Sequence, residues 1–464
     1  MMGVIKGEFE VTIRKNEVVP PAMPMQEYRL LQSNLDLLLP PVNPSSIFFY
    51  KKPLDEKFTF DCMVGILKTA LAQTLVHYYP LAGEMVQNEA GEPEVLCNNR
   101  GVDFIEAFAD VQLKDLNFHN PDESIGGKLV PARTRGMMAV QVTGLKCGGL
   151  VVAYTVDHRL TDAYSSQMLV LSWIEHAQAK PLSRIPSFQR SLLLPRHPGH
   201  YDSSIEKVYL PISKLQLEAN YHDDQGDISR VYYVEAKQIS ELQSLANNPK
   251  NTGIGGKRTK LESFSAYLWK ILASSVDKSH EKICRIGIIV DGRSRLANGD
   301  ETKAELMEAY YGNVLSIPFG EKKIEELKKK PLSWIADEVH DFINGATNKE
   351  HFLGVIDWVE AHRPEPALAR MYATRVTEEG PAVVISSGLR FPVTEMDFAW
   401  GVPAILSYYF PWGAQAGYVV PMPSPIGNGD WIVYIHMLKD QLHFIESEAP
   451  HIFKPLTSTY LNLM

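Results

Sequence analysis

His158 is the residue of this chain best placed by its neighbours to move a proton. It opens the pentapeptide His158-Arg159-Leu160-Thr161-Asp162, directly after an apolar, β-branched run at 148–156 (GGLVVAYTV). That run reads as a buried strand. Residues 163–179 follow, with Met168, Leu169, Leu171, Trp173 and Ile174 forming a helical apolar stripe. A turn at the end of a buried strand is where a polar side chain can project into a cleft. An imidazole there titrates near neutral pH and can act as a general base. Asp162 has two readings: it orients the histidine, or it turns away to tie down the loop and cap the helix. HxxxD arises by chance in many chains, and for the pentapeptide alone the capping reading is favoured.

A second candidate, Asp397-Phe398-Ala399-Trp400-Gly401, reads as a tight, partly buried turn. Gly401 supplies conformational freedom and Asp397 can accept from backbone amides. Nothing in it transfers protons, so its expected role is structural. GxSxG and HExxH do not occur. GIGGK at 253–257 lacks the spacing and the following Ser or Thr of a phosphate loop. RHPGH at 196–200 has two histidines but no acidic or thiol neighbour, and reads as a loop. Cys62, Cys97, Cys147 and Cys284 are scattered without CxxC, which argues for buried thiols in a reducing compartment and against a metal site or disulfide framework.

The positioning elements divide into two series. In the first, strands are expected near 8–14, 93–104, 137–143 and 148–156, with helices at 60–79 and 163–179. Prolines 181, 186, 195, 198 and 211 then break the pattern. The strand–helix pattern restarts with strands at 229–236 and 282–291, helices at 240–247 and 262–275, an apolar run at 371–389 and a last strand at 431–438. This predicts an N-terminal domain at 1–190, a crossover linker at 191–226 and a C-terminal domain at 227–464, both domains α/β.

The 464 residues suit two large domains or about three smaller ones. With 45% hydrophobic and 22% charged residues the chain is neither disordered nor a coiled coil. The net charge of −9 argues against general nucleic-acid binding. The N-terminal charges Lys6, Glu8 and Glu10 oppose a signal peptide. No apolar run approaches the ~18 residues of a membrane helix. A cytoplasmic protein without a membrane segment is expected.

The ordered blocks resemble the plant BAHD acyltransferase family. HxxxD at the end of the first half and a DFGWG-like turn near the C-terminus carry the resemblance. SNLDLLLP (33–40), HYYPLAG (77–83), CNNRGVDFIEA (97–107), VDGRSRL (290–296) and YYGN (310–313) extend it over essentially the whole chain. SSGLRFP before the turn is most similar to the branch with coniferyl alcohol acyltransferases, near the hydroxycinnamoyl transferases. The resemblance implies two chloramphenicol-acetyltransferase-like domains, mixed sheets flanked by helices, and an active-site channel at their interface. It implies a monomer with no resident cofactor, using acyl-CoA as co-substrate. His158 would be the general base of direct acyl transfer to a small alcohol of specialised metabolism, such as a phenylpropanoid. An amine acceptor, giving an amide, and a diverted or non-catalytic member are the alternatives. Asp162 would pair with Arg293 as scaffold, and Asp397, Trp400 and Gly401 would be structural.

Two small residues depart from the family pattern: Ala163 follows HxxxD, and Ala399 stands inside the turn, where glycines are usual. Either would be strained at positive φ. By the same resemblance Asn43, Ser386 and Gly388 fall at acceptor-pocket positions. Ser386 is a possible oxyanion donor, and Gly388 replaces a tryptophan, which widens the pocket. Arg370 aligns near a carboxylate-gripping arginine only across a gap, so shikimate and quinate are not the first acceptors expected. Lys257, Arg258, Lys260, Ser263 and Ser265 are the basic and hydroxyl cluster expected to meet CoA phosphates.

Overall fold

The computed structural model describes residues 9–214, 226–247, 256–276, 282–374, 379–411 and 416–463. Part of the expected linker and part of the GIGGK loop lie outside these residues. The chain forms two mixed sheets flanked by helices. The first sheet runs, in spatial order, Val11–Val19, Val102–Ala109, Met138–Leu145, Leu150–Val156, Ser45–Tyr50 and Ile405–Tyr409. Its one parallel pair is Val102–Ala109 with Met138–Leu145. The last strand comes from the C-terminal half: Ile405 pairs with Phe49 and Tyr409 with Ser45. The first sheet is therefore completed from beyond the proposed boundary at 226.

The second sheet runs Phe319–Lys323, Ile283–Ile288, Ala382–Ile385, Gly417–Pro423, Trp431–Leu438, Asp227–Val234 and Lys454–Pro455. Successive strand side chains point to opposite faces. Val383, Val419, Val433 and Ile435 join Ile239, Phe264, Ile335 and Leu442 of the covering helices in one core. Val384, Val420, Ile432 and Tyr434 belong to the other core, continuous with Phe48, Val152 and Leu169 of the first half. The two halves thus share a single apolar seam. At ~25 cal/mol per Å² of apolar surface, a seam of this kind opposes separation.

Local chemistry explains the helix starts. Thr59 caps Phe60–His77 through Cys62 N–H. Thr59's counterpart Thr259 forms a reciprocal capping box with Glu262 at the start of Lys260–Ser274. Trp173 of the helix Ala163–Ala177 donates to Leu67 O at 2.9 Å, fastening it to Phe60–His77. The expected single strand at 93–104 is two strands, Pro93–Cys97 and Val102–Ala109, because Asn99 and Gly101 turn the chain at φ 56° and 90°. Of the four cysteines, which form no disulfide, Cys97 and Cys284 are buried as expected, but Cys147 is only half-buried and Cys62 is exposed. It lies on the solvent side of a helix whose core face is Met63, Val64 and Leu67. No helix among the described residues is long and apolar enough to cross a membrane.

Candidate active site

The strand Leu150–Val156 is buried along its whole length and delivers Asp157 and His158 to the seam between the halves. His158 keeps 9% of its surface exposed. Its N–H donates to Val42 O at 3.0 Å, and its carbonyl accepts from Asn313 Nδ2 at 2.9 Å. The ring of Phe410, at the end of the exchanged strand, lies 6.5 Å from the imidazole. The histidine is thus held by segments from both halves. Burial lowers its pKa below the usual 6.5, against the opposing pull of its own carbonyl and the charges of Asp162 and Asp157. At neutral pH the ring is neutral, the form that accepts a proton.

Asp162 does not face the imidazole. Its Oδ1 caps the helix through Ser165 N–H at 2.8 Å. Arg293 donates to both oxygens, Nη1 to Oδ2 at 2.9 Å and Nη2 to Oδ1 at 3.2 Å, and Val314 N–H adds a bond of 3.0 Å. Burial would raise this carboxyl, but the Arg293 charge and these hydrogen bonds hold it below the usual range. Arg293, 3% exposed, also reaches Asp291 and Gly312 O and lies over the Tyr164 ring. The pair joins the HRLTD and VDGRSRL blocks across the seam.

Sequence reasoning overlooked the residues beneath the histidine. Asp157 accepts from the Arg159 amide and guanidinium at 2.6–3.0 Å and pairs with Arg133 at 3.0 Å. Arg133 in turn donates to Asn43 Oδ1 at 2.8 Å, which places Asn43 beside the segment holding His158. Asp36 is fully buried. It accepts from Ser33 N–H and Oγ and from the Asn313 amide and side chain, the last two at 2.8 and 2.9 Å. The SNLD and YYGN blocks therefore close on the carbonyl of His158. Their signal in the sequence was polar residues amid apolar ones, which without a fold names no partner.

The Asp397 turn lies elsewhere. Asp397 Oδ1 accepts from the Ala399 and Gly401 amides, each at 2.8 Å. Its carbonyl accepts from Gln178 Nε2, and Met396 O accepts from Tyr50 OH at 2.8 Å. Phe398 and Trp400 stack at 5.7 Å, with Tyr50 edge-on to both. Tyr50 ends the strand whose other end, Ser45, pairs beside Thr155 near His158. Five residue steps at about 3.3 Å put roughly 16 Å between the two ends. The turn braces the far end of the sheet. Ala399 has φ 90° and Gly401 φ 116°. Ala163, by contrast, is the first residue of a regular helix.

Ser386 follows the strand Ala382–Ile385 and lies beside the Tyr418 phenol. Tyr418 packs edge-on against Phe410 at 4.9 Å, so two aromatic rings link Ser386 to His158. A Cβ at Gly388 would stand 2.9 Å from Met422 Cγ. Arg370 starts the turn Arg370–Ala373, and its carbonyl accepts from Thr374. The geometry brings Arg370 to none of these groups.

Burial divides the five residues expected at CoA. Lys257 and Lys260 are exposed, and Lys260 lines a cavity of about 650 Å³ with Thr259, Leu389, Ser424, Asp430 and Trp431. Arg258 is 7% exposed and bound to Asp337 at 2.8 Å. Its guanidinium is committed to that carboxylate. Ser263 and Ser265 are wholly buried, and Ser263 Oγ donates to Thr259 O. Among the described residues no three His, Cys, Asp or Glu side chains gather as metal ligands.

This architecture has known counterparts. The family model described as "Transferase family" matches residues 9–452, and the chain belongs to that family, the BAHD acyltransferases. It is an acyltransferase. Shikimate O-hydroxycinnamoyltransferase of Nicotiana tabacum is 26% identical, covering 94% of this chain and 99% of the relative. A hydroxycinnamoyl-CoA:5-hydroxyanthranilate N-hydroxycinnamoyltransferase of Avena sativa is 25% identical, covering 94% and 98%. The crystal structure of vinorine synthase superposes with a TM-score of 0.71 at 19% identity, covering 97% of this chain and all of that one. F. graminearum TRI101, complexed with coenzyme A and T-2 mycotoxin, also reaches 0.71, at 12% identity over 91% and 98%.

Proposed function

We propose that this protein transfers an acyl group from a CoA thioester to the hydroxyl of a small aromatic plant metabolite, with His158 as general base. The observation that carries the reading is a buried, neutral imidazole at the seam, held by both halves and engaged by no carboxylate. His158 Nε2 takes the acceptor's proton as its oxygen attacks the thioester carbonyl. The tetrahedral oxyanion collapses, the C–S bond breaks, and the imidazolium returns the proton to the CoA thiolate. Holding both substrates at one seam supplies the proximity contribution. Ser386 is the proposed oxyanion donor. Asn43 and Gly388 are assigned to the acceptor side; Arg370, which meets none of these groups, is not. Lys260, on the cavity at Thr259, and the nearby exposed Lys257 are assigned to the CoA phosphates, while Arg258, Ser263 and Ser265, committed or buried, are not.

Relatives named for O- and for N-hydroxycinnamoyl transfer support a hydroxycinnamoyl-type donor. The hydroxyl acceptor is chosen over the amine because the imidazole has no carboxylate partner that would favour a cationic amine. Cysteines without disulfides fit a reducing, cytoplasmic setting, and the protein is read as a monomer without a resident cofactor.

The test is free-thiol release from acetyl-, benzoyl- and p-coumaroyl-CoA with paired alcohols and amines, and mass spectrometry of the product. An ester whose formation falls about 10²–10⁴-fold in His158→Ala is expected. An amide product would replace the acceptor assignment. Equal release by wild type and variant would remove His158 from the mechanism.

A further inference from the structure

A base that accepts a proton at Nε2 needs its other nitrogen held. The two nearby carboxylates are engaged elsewhere, Asp162 by Arg293, Ser165 and Val314, and Asp157 by Arg133 and Arg159. His158 Nδ1 is buried and has no hydrogen-bond partner. Asn313 Oδ1 is likewise buried and unpartnered. These two atoms belong to residues already joined, since Asn313 Nδ2 grips the His158 carbonyl at 2.9 Å. The same Nδ2 also bonds Asp36 Oδ1, as does the Asn313 amide. Both donors of the side-chain amide thus face acceptors, which fixes which end is nitrogen and leaves Oδ1 as an acceptor without a donor.

We infer that Asn313, clamped by Asp36, is the positioning residue for the His158 imidazole: its Oδ1 and the carbonyl it holds receive Nδ1–H, leaving Nε2 as the base. When Nε2 gains its proton, the Nδ1–H of the imidazolium already has an acceptor. A neutral amide in this place orients the ring without the negative charge that would raise its basicity. The charged groups around it are compensated: Asp157 by Arg133 and Arg159, and Asp162 by Arg293. The inference rests on His158 being the base.

The experiment runs His158→Ala first. Acyl transfer that survives in that variant ends the reading of His158, whatever Asn313 does. Asn313→Ala is then expected to lower kcat about 10²-fold, with KM for acyl-CoA changed less than about threefold. It should add no loss in a His158→Ala background, because residues acting as a unit are non-additive. NMR of ¹⁵N-histidine-labelled protein should show His158 protonated at Nδ1 in the wild type and a mixture of tautomers in Asn313→Ala. Asp36→Asn, of equal size, should give a smaller kcat loss of the same kind, and serves if Asn313→Ala does not fold. Wild-type kcat in the Asn313 variant, full additivity with His158→Ala, or a wild-type Nε2–H tautomer would each overturn the assignment.

Discussion

At the residue scale, the chemistry turns on one imidazole kept neutral by burial. Its pKa lies below 6.5, so the active, unprotonated form persists further into acid than an exposed histidine allows. The acid limb of the kcat/KM profile is expected to have its midpoint below pH 6.5. An acid limb at or above 6.5 would contradict the environment described. Asp162 should behave differently from its neighbour in the motif. Its removal takes from buried Arg293 its two-oxygen carboxylate partner, leaving only Asp291 as counter-charge, and strips a helix cap. Asp162→Ala is expected to cost about 3–5 kcal/mol of stability in urea unfolding. His158→Ala removes no ion pair and should cost far less. Equal losses would mean that the carboxylate is not the scaffold its contacts indicate.

At the element scale, two alanines stand where the family pattern has glycine, and the backbone treats them oppositely. Ala399 sits at φ 90° inside the Asp397 turn, a conformation that a Cβ disfavours. Ala399→Gly should relieve that strain at some entropic cost, for a net gain of up to about 1 kcal/mol. Ala163 opens a helix, where alanine is the better residue, so Ala163→Gly should lose about 0.5–1 kcal/mol. Paired urea midpoints check both signs. A loss in both would mean that the turn does not hold Ala399 in that conformation. The motif's two departures are therefore unlike: one fits its element, and the other strains a turn that Asp397 and Gly401 brace.

At the scale of the whole molecule, the exchanged strand Ile405–Tyr409 and the shared apolar seam tie the halves together. A single unfolding transition is expected in calorimetry. A fragment ending at 226 should aggregate, because Ser45–Tyr50 becomes an uncovered apolar edge. Two separate transitions would show that the seam is weaker than its packing. Acid should destabilise the molecule through buried histidines. Burial lowers His351 and His436 to about 4, against 6.5 when unfolded. Between these values the unfolded chain binds more protons than the folded one. Stability is therefore full above pH 6.5 and falls as pH drops toward 4. The slope is at most ~1.4 kcal/mol per pH unit for each histidine. Urea midpoints across that range measure it.

The sequence by itself determined the local features: the buried strand before His158, the capping role open to Asp162, the helices at 60 and 163, and the ordered blocks that resemble the family. These depend on periodicity and cap chemistry, which neighbours a few residues apart express. Only the tertiary structure decided which residues meet. It joined Asp162 to Arg293, as the resemblance implied, and placed Asn313 on the His158 carbonyl with Asp36 holding Asn313, which no spacing suggested. It drew Ile405–Tyr409 into the first sheet and split the basic cluster, sending Arg258 to Asp337 while Lys260 stayed at the cavity. Such contacts join positions 79 to more than 300 residues apart. They are set by burial and by the demand that buried polar groups find partners, neither of which can be read along the chain.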